Sequence, residues 1–289
     1  MENNSKQSKR KSGQWWLWLL LGAVIYYLVI NHNIFDPVKQ PFIDFFNSNF
    51  STAFFGAIGG SLTIIFIEWI RRQRHTLADI NSSIGLLASL SNTLLNMKKQ
   101  HTEPLRLNYQ SNISEFQMVN TIRKYSGSSQ EPVILNVPMY MKRFYAPNLH
   151  FDLPTDRIFT LTDKMPDIVP IISQAKRSVS EVNNICDVWN NLIEDFKDLS
   201  QEEKVPRYFG LRSAVDMVDT SFPDTIHNVC NAVDDALFFI NLSIKALTKL
   251  GNNTLPFWLK NKVAKSEITS KEHKALMPPE NHMEGWHVE

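Results

Sequence analysis

The sequence predicts a mainly α chain: a two-span transmembrane helical hairpin continuing into an elongated cytoplasmic antiparallel helical bundle, with a small β/loop insertion. Three observations predict it. Two long apolar runs fall within the first 70 residues. A nine-position apolar seam repeats from Ile168 to Phe196 without a slip. Another such seam runs from Ile226 to Leu247.

The first apolar run, WWLWLLLGAVIYYLVI (15–30), has 16 residues and no charge. At a helical rise it covers about 24 Å, slightly short of a ~30 Å hydrocarbon core, so flanking residues complete a span of about 15–34. Its ends carry aromatic residues suited to the interfacial belts. The basic segment 1–13, with Lys9, Arg10 and Lys11, resembles a signal-peptide n-region, but no small-residue cleavage site follows Ile30. An uncleaved span is the better reading.

The second run, FSTAFFGAIGGSLTIIFIEWI (50–70), has one acid near its end. Glu68 lies three and four positions before Arg71 and Arg72, so it can pair with them at headgroup level. Basic residues precede the first span, and Arg71, Arg72 and Arg74 follow the second, while the loop 31–49 holds only Lys39 against Asp36 and Asp44. The positive-inside rule then predicts a multi-pass protein of a cell membrane, bacterial inner-membrane in type, with both termini cytoplasmic. Lys9, Arg10, Lys11, Glu68, Arg71, Arg72 and Arg74 are its interface anchors, and the lipid bilayer its first partner. Gly56 and Gly60 form a GxxxG pair for close helix–helix packing in the membrane, either between the two spans or across a homodimer.

No Pro or Gly interrupts residues 61–83, which predicts one rod from about 50 to 100. Leu77, Ile80, Ile84, Leu87 and Leu94 mark a heptad seam, with Ser91 in the skipped place. The rod is expected to end near 98–101, ahead of Pro104. The second seam comprises Ile168, Ile172, Ala175, Val179, Val182, Cys186, Trp189, Ile193 and Phe196, spaced 4-3-4-3-4-3-4-3. Asp163 or Asp167 is its expected cap, and Pro166 and Pro170 fall at its entrance. The third passes through Ile226, Val229, Val233, Leu237, Ile240, Ile244 and Leu247, opened by a capping box at Ser221 and Asp224 and stopped by Gly251. Three long heptad helices imply a bundle over 71–251, completed by a shorter helix near 111–125 or by a second subunit. The insertion, about 126–162, reads as a small β-hairpin or an ordered loop, since Pro138 allows an edge strand at best. The polar tail 252–289 is expected to be mostly disordered.

Little in the sequence carries chemistry. A net charge of +1 gives no argument for nucleic acid. P-loop, dinucleotide, zinc-protease, nucleophile-elbow and kinase motifs are all missing from the chain. His227 and Cys230 stand three apart on a helix, but the other half of a zinc site is missing. Cys186 and Cys230 read as small buried thiols. The pairs Asp216/Asp219 and Asp234/Asp235 read as solvated faces rather than opposed catalytic carboxylates. The expected catalytic, cofactor-binding and metal-ligating sets are therefore empty, with no small-molecule substrate.

The one cluster that suggests contact with a partner is Tyr140, Lys142, Arg143, Phe144 and Tyr145 in the insertion. The sequence thus points to a membrane-anchored non-enzymatic interaction or signalling module, homodimeric or bound to another protein. A membrane-perturbing effector with a trigger-sensing helical domain is the second reading. An enzyme with its site near 126–162 is the third.

Overall fold

The computed structural model describes residues 44, 49–125, 137–144, 149–151, 153, 165–212, 218–266 and 270–284. Among them the chain is mainly helical: α1 (Asn49–Met97), a π-helical turn (Lys98–Thr102), α2 (Glu103–Tyr125), α3 (Ile168–Lys197), α4 (Gln201–Phe209), α5 (Ser221–Thr254), α6 (Phe257–Lys260) and α7 (Lys271–Leu276). The chain divides into two compact units, Met1–Arg71 and Arg72–Glu289.

In the first unit the transmembrane expectation needs correction. Among the described residues no helix is long and apolar enough to cross a membrane. The span expected at about 15–34, with Lys9, Arg10 and Lys11 before it, lies outside those residues. In α1 asparagine, glycines and hydroxyl residues dilute the apolar run, which ends at Glu68 and the arginines after it. The multi-pass membrane localisation fails with it. Glu68, Arg71, Arg72 and Arg74 are exposed positions along α1. A Cβ added at Gly56 or Gly60 would meet nothing within 4 Å among the described residues, so no helix seen here packs against that pair.

The second unit is built on the seams. All nine positions read from Ile168 to Phe196 are at most 1 % exposed, and those from Ile226 to Leu247 at most 7 %. Each apolar side chain so buried contributes roughly 1.5–3 kcal/mol gross. These two faces belong to α3 and α5, which form the most extensive helix pair of the unit. From α1, Ile80, Ile84, Leu87, Leu94 and the skipped-place Ser91 join the same core. An aromatic cluster closes one end, with Phe222 ring centroids 5.6 Å from Trp189, 4.6 Å from Phe196 and 4.8 Å from Tyr208.

Several boundaries differ from the sequence reading, each for a local reason. The rod continues past 98–101 into α2 through the π-helical turn. Pro104 has no N–H for the Gln100 carbonyl four residues back, and its ring would crowd that carbonyl in a regular α-turn. The turn widens instead, with the Glu103 N–H donating to Lys98 O. At α5 the expected capping box is replaced by Asp219, whose Oδ1 accepts the Ser221 N–H at 2.9 Å. Asp167 precedes α3 without a side-chain cap bond, and Asp163 lies outside the described residues. Gly251 does not stop α5, which runs on to Thr254 ahead of Pro256. Its role is spatial: a Cβ there would stand 3.0 Å from Val263 Cγ2.

The tail is not a loose segment over its described part. Leu255, Leu259 and Val263 are buried, and α6 and α7 lie within it. Asn81 on α1 holds the two peptides that flank Val263, donating to Lys262 O at 2.9 Å and accepting the Ala264 N–H at 2.7 Å. The apolar positions 255, 259 and 263 repeat every four residues, a short helical stripe within a polar composition. Helix α4, absent from the sequence reading, is opened by a capping box between Ser200 and Glu203 and closed by Gly210 at φ 61°.

Candidate functional site

The insertion contains no strand among the described residues; residues 137–144 run as a strap without regular secondary structure. Its backbone is satisfied by helix side chains, which removes the need for a β partner. From α2, Asn108 donates to Pro138 O at 2.8 Å and accepts the Tyr140 N–H at 3.1 Å. Asn112, buried, donates to the Tyr208 hydroxyl at 2.7 Å and to Pro138 O at 3.3 Å. From α3, the Trp189 Nε1–H donates to Lys142 O at 3.0 Å. Asn190 bridges both backbone groups of Phe144 at 2.8 Å, accepting from N–H and donating to C=O, much as a neighbouring strand would. One heptad earlier on the same face, Asn183 donates to Leu149 O at 3.3 Å.

An extended chain alternates its side chains between two faces. Val137, Met139 and Met141 turn inward and, with Ile193, Phe196, Lys197 and Lys204, line an open cavity of about 270 Å³. Two flexible thioethers make an adaptable wall. The two lysines stand at the junction of α3 and α4: Lys204 Nζ donates to Lys197 O at 3.3 Å, and Lys197 pairs with Glu194 at 3.0 Å. Among the described residues no carboxylate lines the cavity.

The predicted partner patch is thereby divided. Tyr140 is half-buried, with Lys142 Nζ 5.7 Å above its ring, and its hydroxyl donates to Gln100 O at 3.4 Å. That is the carbonyl Pro104 cannot serve. Lys142 is exposed, and Arg143 pairs with Glu194 across to α3. Phe144 is a core residue at 1 % exposure, stacked 5.2 Å from Trp189 and tilted against the His101 ring at 5.2 Å. It is unavailable to a partner. Tyr145 lies outside the described residues, as does most of 126–162.

The acidic pairs expected to be solvated are engaged. Asp234 pairs with Lys98 of the π-turn, their side chains 17 % and 9 % exposed. Asp235 meets His282 Nε2 at 2.7 Å, tying the tail to α5. Hydrogen bonding from Ser221, helped by the Arg207 pair at 2.6 Å, holds the Asp219 carboxyl below the usual range; Asp216 lies outside the described residues. Burial pushes both thiols, Cys186 and Cys230, up to about 12, where they are poor nucleophiles. Cys230 Sγ lies 3.6 Å from Thr102 O, and His227 faces the Tyr109 ring edge-on. Among the described residues no group of three or more His, Cys, Asp or Glu is placed to hold a metal.

Sequence reasoning missed the cavity and the asparagines that create it. Val137, Met139 and Met141 did show period two, a signal overruled by Pro138. Asn183 and Asn190, one heptad apart beside the apolar stripe, and Asn108 and Asn112, one turn apart, were the other readable sign. No protein family model, curated protein or solved structure was found to match the chain.

Proposed function

We propose that the chain is a non-enzymatic interaction and signalling module whose strap, residues 137–144, is the recognition element. The observation that carries this reading is the two-faced strap itself. Its inner side chains roof an open cavity, while Lys142 is exposed on the other side. A segment held largely by hydrogen bonds to helix side chains, and anchored in the core at its Phe144 end, can shift along its length without unfolding the bundle. It also touches the π-turn through Tyr140, so a change at the strap reaches the α1–α2 rod directly.

A photo-crosslinking residue placed at Lys142 in the full chain, expressed in its own cells, tests the outward face against the same probe at exposed Glu181 on α3. A discrete adduct, of a second copy or of another protein, formed from position 142 and not from 181 is the expected result. Equal or absent adducts at both positions would remove the strap from recognition.

A further inference from the structure

We propose that the cavity beneath the strap binds a small amphipathic monocarboxylate, its apolar body against Met139, Met141 and Phe196 and its carboxylate on Lys204. The proposal rests on the reading of the strap as a recognition element and names what that element encloses.

Three features select this chemistry. The cavity walls are aliphatic and aromatic apart from the two lysines, so an apolar body displaces water there favourably. Its 270 Å³ holds on the order of nine non-hydrogen atoms at ~30 Å³ each, which suits a ligand of medium-chain size and excludes a folded domain or a full-length lipid chain. Lys204 is half-buried, and among the described residues the acceptor it engages is a backbone carbonyl, Lys197 O at 3.3 Å. A partly desolvated ammonium beside an apolar wall is completed by an anion.

The surrounding charges favour a single carboxylate over a polyanion. Glu194 is already neutralised by Arg143 and Lys197, and Glu203 is turned into the Ser200 capping box. Asp195, Asp198 and Glu202 are exposed on the same α3–α4 corner without lining the cavity. Their field opposes a phosphate cluster or an acidic peptide, whereas one carboxylate in contact with Lys204 is attracted at short range.

The test is calorimetric titration of the full-length chain with octanoate and with 1-octanol, followed by ¹³C-methyl methionine spectra. Octanoate is expected to bind saturably, shifting the Met139 and Met141 methyl signals, with octanol at least about tenfold weaker, the worth of one charge-assisted hydrogen bond. Lys204→Met, which keeps the aliphatic stem, is expected to remove that preference with an unchanged thermal midpoint. Equal binding of the two compounds would overturn the carboxylate assignment. Shifts at other methionines, or no heat with either compound, would overturn the cavity as the site. Neither failure touches the crosslink at Lys142, which reads the outer face alone.

Discussion

The α3–α5 seam and the strap lie against the same helix and are held by different forces. On one side of α3, Val182, Cys186, Trp189 and Ile193 disappear into apolar contact with α5 at 1 % exposure or less. Beside it, Asn183 and Asn190 reach out to the insertion through amide hydrogen bonds. Apolar burial is additive along a helix and tolerant of detail. Amide bridging is local, directional and lost in one step when a partner goes. The difference teaches that stability and responsiveness are separated laterally on a single helix, with Trp189 joining them through its ring and its N–H.

The largest expected effect breaks the seam. Leu237→Ala removes a fully buried side chain at the centre of α5. Substitutions of this kind cost about 2–5 kcal/mol, depending on how far the site collapses. Denaturant unfolding should show the midpoint fall, with strap and helices lost in one transition. A strap that outlasts the helices would contradict its dependence on them.

A smaller change should separate the two regions. Asn190→Leu leaves the Phe144 N–H and C=O without their partner, a loss of about 1–3 kcal/mol confined to the strap. Hydrogen exchange at 137–144 should accelerate while amides of α3 and α5 keep their protection. Uniform acceleration across the bundle would show strap and seam to be one cooperative unit.

The seams were legible because burial repeats: four heptads in 168–196 define a face whatever the neighbours are, and all nine positions are buried. The strap was not, because its order depends on three asparagines and a tryptophan N–H contributed from 26 to 47 residues away. No local period encodes such pairs. The π-turn was half legible: Pro104 announced a break, but the break is absorbed by a wider turn and by Tyr140 rather than ending the rod. The tail misled through its polar composition, since its order rests on Asn81 and on the notch at Gly251, both distant in sequence.

Tyr140→Phe sharpens the link between strap and rod. It removes one long hydroxyl bond, 3.4 Å to Gln100 O, and keeps the ring beneath Lys142. The expected loss is about 0.5 kcal/mol, at the weak end for a neutral hydrogen bond. Exchange should quicken at the π-turn and at residues 137–144 together. A change at only one would mean that the two move independently.

The smallest expected effect is a pH dependence at His101, where strap and rod meet. Its pKa is lowered from 6.5, first by burial and second by the Lys142 charge. Nδ1 is buried with no hydrogen-bond partner among the described residues, so a proton added there would have no acceptor among them. The unfolded chain therefore takes up the proton first as pH falls, and stability declines from about pH 6.5 downward until the folded imidazole also titrates. Above that window the group is neutral in both states and contributes no slope. His101→Gln, neutral throughout, should flatten the fall in melting temperature between pH 7.5 and 5.5, with the other histidines cancelling in the difference. If the variant's slope matched the parent's, the ring would be free to ionise in place, and the contact between Phe144 and the rod would be looser than the 5.2 Å ring contact implies.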